Sequence, residues 1–182
     1  MELEQGKYYH IYNSCIEGDK LFREHSDYLL FLKKYRQFLN KELSVLAYCL
    51  MPTQFHFLVK VVGDDITRIK KYIGILQGTY AKMINIKTGR SGSLFPNRAI
   101  SKLIDNQADL LIIATYIHQK PLRDKLSEHL KDWPYSSYPD YAGLRNGTLP
   151  SRDSIMNQFQ NKDDFVKFSN KTITNIKNEY WI

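Results

Sequence analysis

The chain has 182 residues, with 26 Lys+Arg against 19 Asp+Glu and a formal net charge of +7. That length suits one domain of about 100–200 residues with room for a tail, able to fold without disulfide or metal staples. Hydrophobic residues at 43% and charged residues at 25% exclude wholesale disorder. Two cysteines without CxxC spacing, Cys15 and Cys49, exclude a disulfide scaffold and point to a reducing, cytoplasmic setting. No apolar run nears the roughly 20 residues of a membrane span. The polar start MELEQGKYYH lacks a signal-peptide core.

Lys7–Asn13 (KYYHIYN) reads as a strand. In Ser26–Asn40 the apolar residues Tyr28, Leu29, Leu32, Tyr35, Phe38 and Leu39 recur at helical spacing, with Ser26 placed to cap. Ser44–Met51 and Gln54–Val62 are two β-rich runs joined through Pro52-Thr53. Asp64 or Asp65 caps a second helix reaching about Ile86. Its Gly74 and Gly78 each cost roughly 1 kcal/mol in a helix, so close backbone packing is expected there. Arg98–Ile104 reads as a short strand, and Gln107–Gln119 as an apolar helix stopped by Pro121. The order β-α-β-β-α-β predicts an α+β, ferredoxin-like fold: an antiparallel sheet with two helices on one face, plus the apolar helix. This domain is expected to span residues 1–142. A C-terminal extension, 143–182, follows, with one or two short helices in Ser154–Phe168, a polar tail and Trp181 as a possible anchor.

The charge is unevenly spread. Between Ile66 and Ile104 there is no Asp or Glu, while Arg68, Lys70, Lys71, Lys82, Lys87, Arg90, Arg98 and Lys102 give that stretch +8 and leave the remainder at −1. A single-sign segment attracts polyanions, nucleic acid first among them; the plainer reading is a solvated helix face. TGRSGSLF (Thr88–Phe95) adds Ser91 and other small or hydroxyl residues beside Arg90, which suits a loop that meets phosphates.

Two stretches could carry chemistry. On the strand within MPTQFHFLVK, Gln54 and His56 share a face while Phe55 and Phe57 point oppositely. His56 is a potential metal ligand and Gln54 a weaker oxygen donor; both also suit a purely structural role. In ATYIHQKPL, Tyr116 is either a core tyrosine or a nucleophile. A phenol of pKa about 10 needs a cation or base to attack phosphorus near neutral pH. Lys120, one helical turn on, offers that charge, whereas His118 faces away.

The segments YYHIYN, AYCLMPTQFHFLVK, YAKMINIKTGRSGSLF, RAISKLI, YIHQKPLR and DWPYSSY occur in an order and spacing that resembles the single-tyrosine HUH transposases, in particular the REP-associated tyrosine transposases. The resemblance runs from about Tyr8 to Tyr141. It implies recognition of hairpins in single-stranded DNA, and cleavage through a tyrosine that becomes 5′-phosphotyrosine-linked and leaves a 3′-OH. It also implies a divalent ion, Mg²⁺ or Mn²⁺, on the scissile phosphate. The attacking tyrosine matches Tyr116, and the second His of the His-hydrophobic-His motif matches His56. Arg98 and Arg90 fall where the family carries basic residues. Relatives act as monomers or as homodimers.

The departures are specific. Gln54 stands where the family has its first His, Lys120 where it has an Asn or Gln ligand, and Ser14 where an Arg follows the first strand's Asn. Gln54 still offers an oxygen to Mg²⁺, but a protonated Lys120 cannot ligate and repels a cation. Three readings follow: a Tyr116-dependent DNA nicking and joining enzyme in DNA transposition, a catalytically impaired hairpin-binding module, and an RNA-recognition-like sheet stacking bases on HIYNS and FHFLVKV.

Overall fold

The computed structural model describes residues 2–171 and 173; Trp181 lies outside them. Four strands, β1 (Tyr8–Ser14), β2 (Leu43–Met51), β3 (Gln54–Val61) and β4 (Ile100–Ile104), form one sheet in the order β2-β3-β1-β4, every pairing antiparallel. Helices α1 (His25–Leu39), α2 (Ile66–Thr88) and α3 (Gln107–Arg123) complete the β-α-β-β-α-β-α order expected of the split βαβ arrangement. Short helices α4 (Tyr138–Tyr141), α5 (Asp153–Met156) and α6 (Lys162–Ser169) follow.

Helix α1 buries Tyr28, Phe31, Tyr35 and Leu39, a stripe at helical spacing. It begins one residue before Ser26, because the Asp27 carboxylate accepts the Glu24 N–H at 3.1 Å and the Arg23 N–H at 2.8 Å. Helix α2 is capped by Asp65, which accepts the Arg68 N–H at 2.8 Å, and ends at Gly89 in the left-handed region, φ 65°. The two helices pack on one sheet face, filling it with Tyr9, Ile11, Phe55, Phe57, Val59, Ile69, Leu76 and Tyr80.

The other face is covered as well. There α3 lays Leu110, Ile113, Ala114 and Ile117 on Leu46, Ala47, Cys49, Met51, Leu58 and Ile104, with Tyr138, Tyr141, Ile155 and Phe165 closing the layer. Because both faces are buried, β2 is apolar nearly throughout rather than alternating. A bulge between Val45 and Ala47 turns Leu46 and Ala47 together toward α3. Among the described residues no helix is long and apolar enough to cross a membrane.

Two local expectations change. Pro121 does not end α3. It forfeits one backbone hydrogen bond, but the helix runs on to Arg123 and closes when the Asp124 N–H reaches the Lys120 carbonyl at 2.9 Å. Gly74 and Gly78 do not mark close packing: a Cβ at either would meet nothing within 4 Å. They face open space on α2.

Candidate active site and nucleic-acid interface

Alternation on β1 and β3 turns His10, Gln54 and His56 toward α3, while the end of α3 brings Lys120 and Asp124 to them, with Tyr116 one turn before Lys120. The polar groups form a chain. Gln54 Nε2 donates to Asp124 Oδ2 at 2.8 Å, so its Oε1 turns to His56 Nε2 at 3.0 Å. That nitrogen must be the protonated one, which leaves His56 Nδ1 to accept from His10 Nε2 at 3.0 Å. Among the described residues His10 Nδ1 has no hydrogen-bond partner. Burial holds both imidazoles neutral: it lowers the His10 pKa to about 3, aided by Lys102 and Lys120, and pushes His56 well down, aided by His10 and Lys120.

Lys120 sits beside this chain. It is 5% exposed, its Nζ lies 3.4 Å from Asp124 Oδ1 and 5.9 Å from the Tyr116 ring centroid. The Arg123 guanidinium lies 5.4 Å from the same ring. Tyr116 is itself 1% exposed, so in this arrangement its phenol is packed in the second core. His118 faces elsewhere, as its position two residues from Tyr116 implied: its Nε2 lies 2.7 Å from Ser137 Oγ, and Ser137 is bonded to Tyr48 on β2.

A divalent ion of the kind the resemblance implies does not fit these residues. Both His56 nitrogens are engaged, Gln54 spends its oxygen on His56, and an ammonium occupies the third position. Among the described residues no cluster of three or more His, Cys, Asp or Glu could hold a metal.

The basic segment divides in two. Arg68 pairs with Glu42 at 3.1 Å, Arg90 with Asp19 at 2.6 Å, and Lys87 with Glu24 at 2.6 Å and with buried Asp27. Folding thus brings Glu42, Glu24, Asp27 and Asp19 onto three of its cations, and Asp64, four residues before Arg68, adds a longer contact at 3.9 Å. Lys70, Lys71, Lys82 and Arg98 have no carboxylate partner among the described residues. Lys102 lies 5.7 Å from the Tyr12 ring centroid. Lys70, Lys71 and Arg98 line one cavity of about 460 Å³ together with Gly74 and Gln77. A second, of about 570 Å³, shares Gly74, Gln77 and Arg98 and continues past Gly78 and Ala81 to Ser93–Asn97. The two make a groove along α2, cationic at one end and floored by the glycines. Ser91 is exposed in the adjoining loop.

Sequence reading singled out Tyr116, Lys120, Gln54 and His56: the structure joins Gln54, His56 and Lys120 through Asp124 and sets Tyr116 beside Lys120. It missed His10 and Asp124. His10 was visible as the polar residue between Tyr8 and Tyr12 on one strand face. Asp124 was visible at helical spacing from Lys120, once Pro121 is allowed inside the helix.

No family model matches the chain, and no curated protein does. Among solved structures, a REP-associated tyrosine transposase bound to a REP hairpin superposes with a TM-score of 0.63 at 14% identity, over 85% of this chain and 93% of that one. A bacterial tRNA(His) guanylyltransferase (Thg1)-like protein in complex with GTP matches at a TM-score of 0.42 and 7% identity, over 69% of this chain and 71% of that one. At such identities the likeness is one of fold: this chain has the α+β architecture of that transposase.

Proposed function

We infer that the chain is a transposase-like protein that binds hairpin-bearing single-stranded DNA, cytoplasmic as its composition suggests. The observation that carries this reading is the groove along α2, where Lys70, Lys71 and Arg98 stand without carboxylate partners among the described residues. Cations left unpaired along one groove suit a phosphate backbone. The fold shared with a hairpin-bound transposase supports the same reading. The RNA-recognition alternative has less support, since the sheet face that would stack bases lies under α3.

Of the two DNA readings, the binding module fits the geometry better. Tyr116 is buried and His56 has both nitrogens in hydrogen bonds. The second reading, nicking and joining, rests on the two cations at 5.9 and 5.4 Å from the Tyr116 ring. In it the phenol loses its proton and bonds to phosphorus. The P–O3′ bond breaks, and the leaving oxygen takes a proton, giving a 5′-phosphotyrosine and a 3′-OH.

The test is fluorescence anisotropy with labelled stem-loop DNA and a plain duplex of the same length, followed by a denaturing gel. Tighter binding to the stem-loop, with no covalent adduct, is expected. Equal affinity for both DNAs refutes the hairpin reading. An adduct that disappears in Tyr116→Phe establishes the nicking one.

A further inference from the structure

Gln54 Nε2 and Lys120 Nζ converge on one carboxylate, Asp124, at 2.8 and 3.4 Å. An amide and an ammonium aimed at one point form an anion seat. Asp124 is an odd occupant. It caps the C-terminal end of α3, where the helix dipole disfavours negative charge. Its side chain is 31% exposed, whereas that of Lys120 is 6% exposed. The 3.4 Å separation exceeds the roughly 2.7–2.9 Å of a strong charge-assisted hydrogen bond, and no other side-chain acceptor for Lys120 is found among the described residues. The ammonium is therefore nearly buried, and its carboxylate partner, held by the Gln54 amide, is the more exposed of the two.

We propose that this seat binds a DNA phosphodiester without a divalent ion, with Lys120 supplying the positive charge and Asp124 holding the place until DNA arrives. The proposal rests on the DNA-binding reading above. The seat itself follows from the residues that make a cation site unworkable. The hydrogen bonds from His10 to His56 and from His56 to Gln54 fix the Gln54 amide so that its N–H₂ faces outward, where a cation ligand would need to present oxygen. The phosphate displaces the carboxylate and meets the same two donors, and Asp124 moves toward solvent.

The substitutions at Asp124 and Lys120 have opposite signs. With a mixed-sequence pool of stem-loop oligonucleotides carrying single-stranded flanks, in EDTA buffer, Lys120→Gln should weaken binding about tenfold. It should also reduce the salt slope by about 0.7, the contribution of one cation on single-stranded DNA. Lys120→Arg should restore most of both. Asp124→Asn should tighten binding several-fold at low salt, because the competing anion is gone. A fold defect alone would not move affinity in opposite directions at two residues of one ion pair, and thermal melts of each variant check for one. Replacing EDTA by Mn²⁺ should leave wild-type affinity unchanged. Unaltered binding by Lys120→Gln overturns the proposal alone. So does Mn²⁺ binding to the free protein, read by electron paramagnetic resonance, that is lost in Gln54→Ala. No binding of the pool by the wild type in any buffer overturns the DNA reading and the proposal together.

Discussion

Replacing Lys71 by Gln, and separately Lys87 by Gln, should affect DNA binding differently although both remove one charge from the same basic segment. Each cation that neutralises a phosphate contributes about 0.9 to the slope of log K against log salt on duplex stems. Eight independent charges would give about −7. Among the described residues four have no carboxylate partner, Lys70, Lys71, Lys82 and Arg98, and four such cations contribute about −3.6. Lys71→Gln should therefore shallow the slope by close to one and leave the unfolding midpoint unchanged. Lys87 instead holds Asp27, whose side chain is 1% exposed and otherwise accepts, among the described residues, the Arg23 and Glu24 N–H groups. Lys87→Gln should lower the unfolding midpoint and leave the slope as it was. The assay is anisotropy titration at four or more salt concentrations, paired with urea unfolding of the same variants. An equal loss of slope in both variants would show that the ion pairs open when DNA binds, and would refute this division of the segment.

Stability should fall below neutral pH. Burial lowers the His118 pKa to about 3 in the folded chain against an unfolded value of about 6.5, so the unfolded state takes up a proton that the folded state refuses. That stability is fully present above pH 6.5 and is lost progressively as pH falls toward 3. Between pH 7.5 and 5 it amounts to about 2 kcal/mol for this one imidazole, with His10 and His56 acting in the same direction. Urea titrations of wild type and His118→Gln at both pH values check it, and an equal pH loss in the variant refutes it. Gly78→Ala should stabilise the chain by about 0.5–1 kcal/mol, since the helix gains a better former and the added methyl meets nothing within 4 Å; destabilisation would mean that α2 is packed at that point after all.

The fold was largely legible because its signals are local. The helical stripe, the two-residue Pro52-Thr53 link and the α2 cap depend on neighbours in sequence: Tyr28, Tyr35 and Leu39 are buried as read while Leu29 is exposed, and of Asp64 and Asp65 it is Asp65 that caps. The errors fall where a single residue was read as a signal without its neighbours. Ser26 yielded the α1 cap to Glu24 because Asp27 reaches back to the preceding N–H groups. Pro121 failed to end α3 because a last turn remained that needs no N–H from it. Gly74 and Gly78 signalled a close approach, yet an added Cβ at either meets nothing within 4 Å among the described residues.

By itself the sequence determined the element order, the two apolar periodicities, the clustering of positive charge and the residue types at Gln54, His56, Tyr116 and Lys120. Only the tertiary structure decided which charges remain available. The shortest ion pairs of Arg68, Lys87 and Arg90 are with Glu42, Glu24, Asp27 and Asp19, all distant in sequence; only the 3.9 Å contact of Arg68 with Asp64 is local. It also decided the state of the polar cluster. The hydrogen-bond partner of a histidine, and so its tautomer and its capacity to hold a metal, depends on strand register and on a helix crossing the sheet. For the same reason Lys120 and Gln54 meet on one carboxylate, Asp124, only because β3 carries the Gln54 amide to the end of α3.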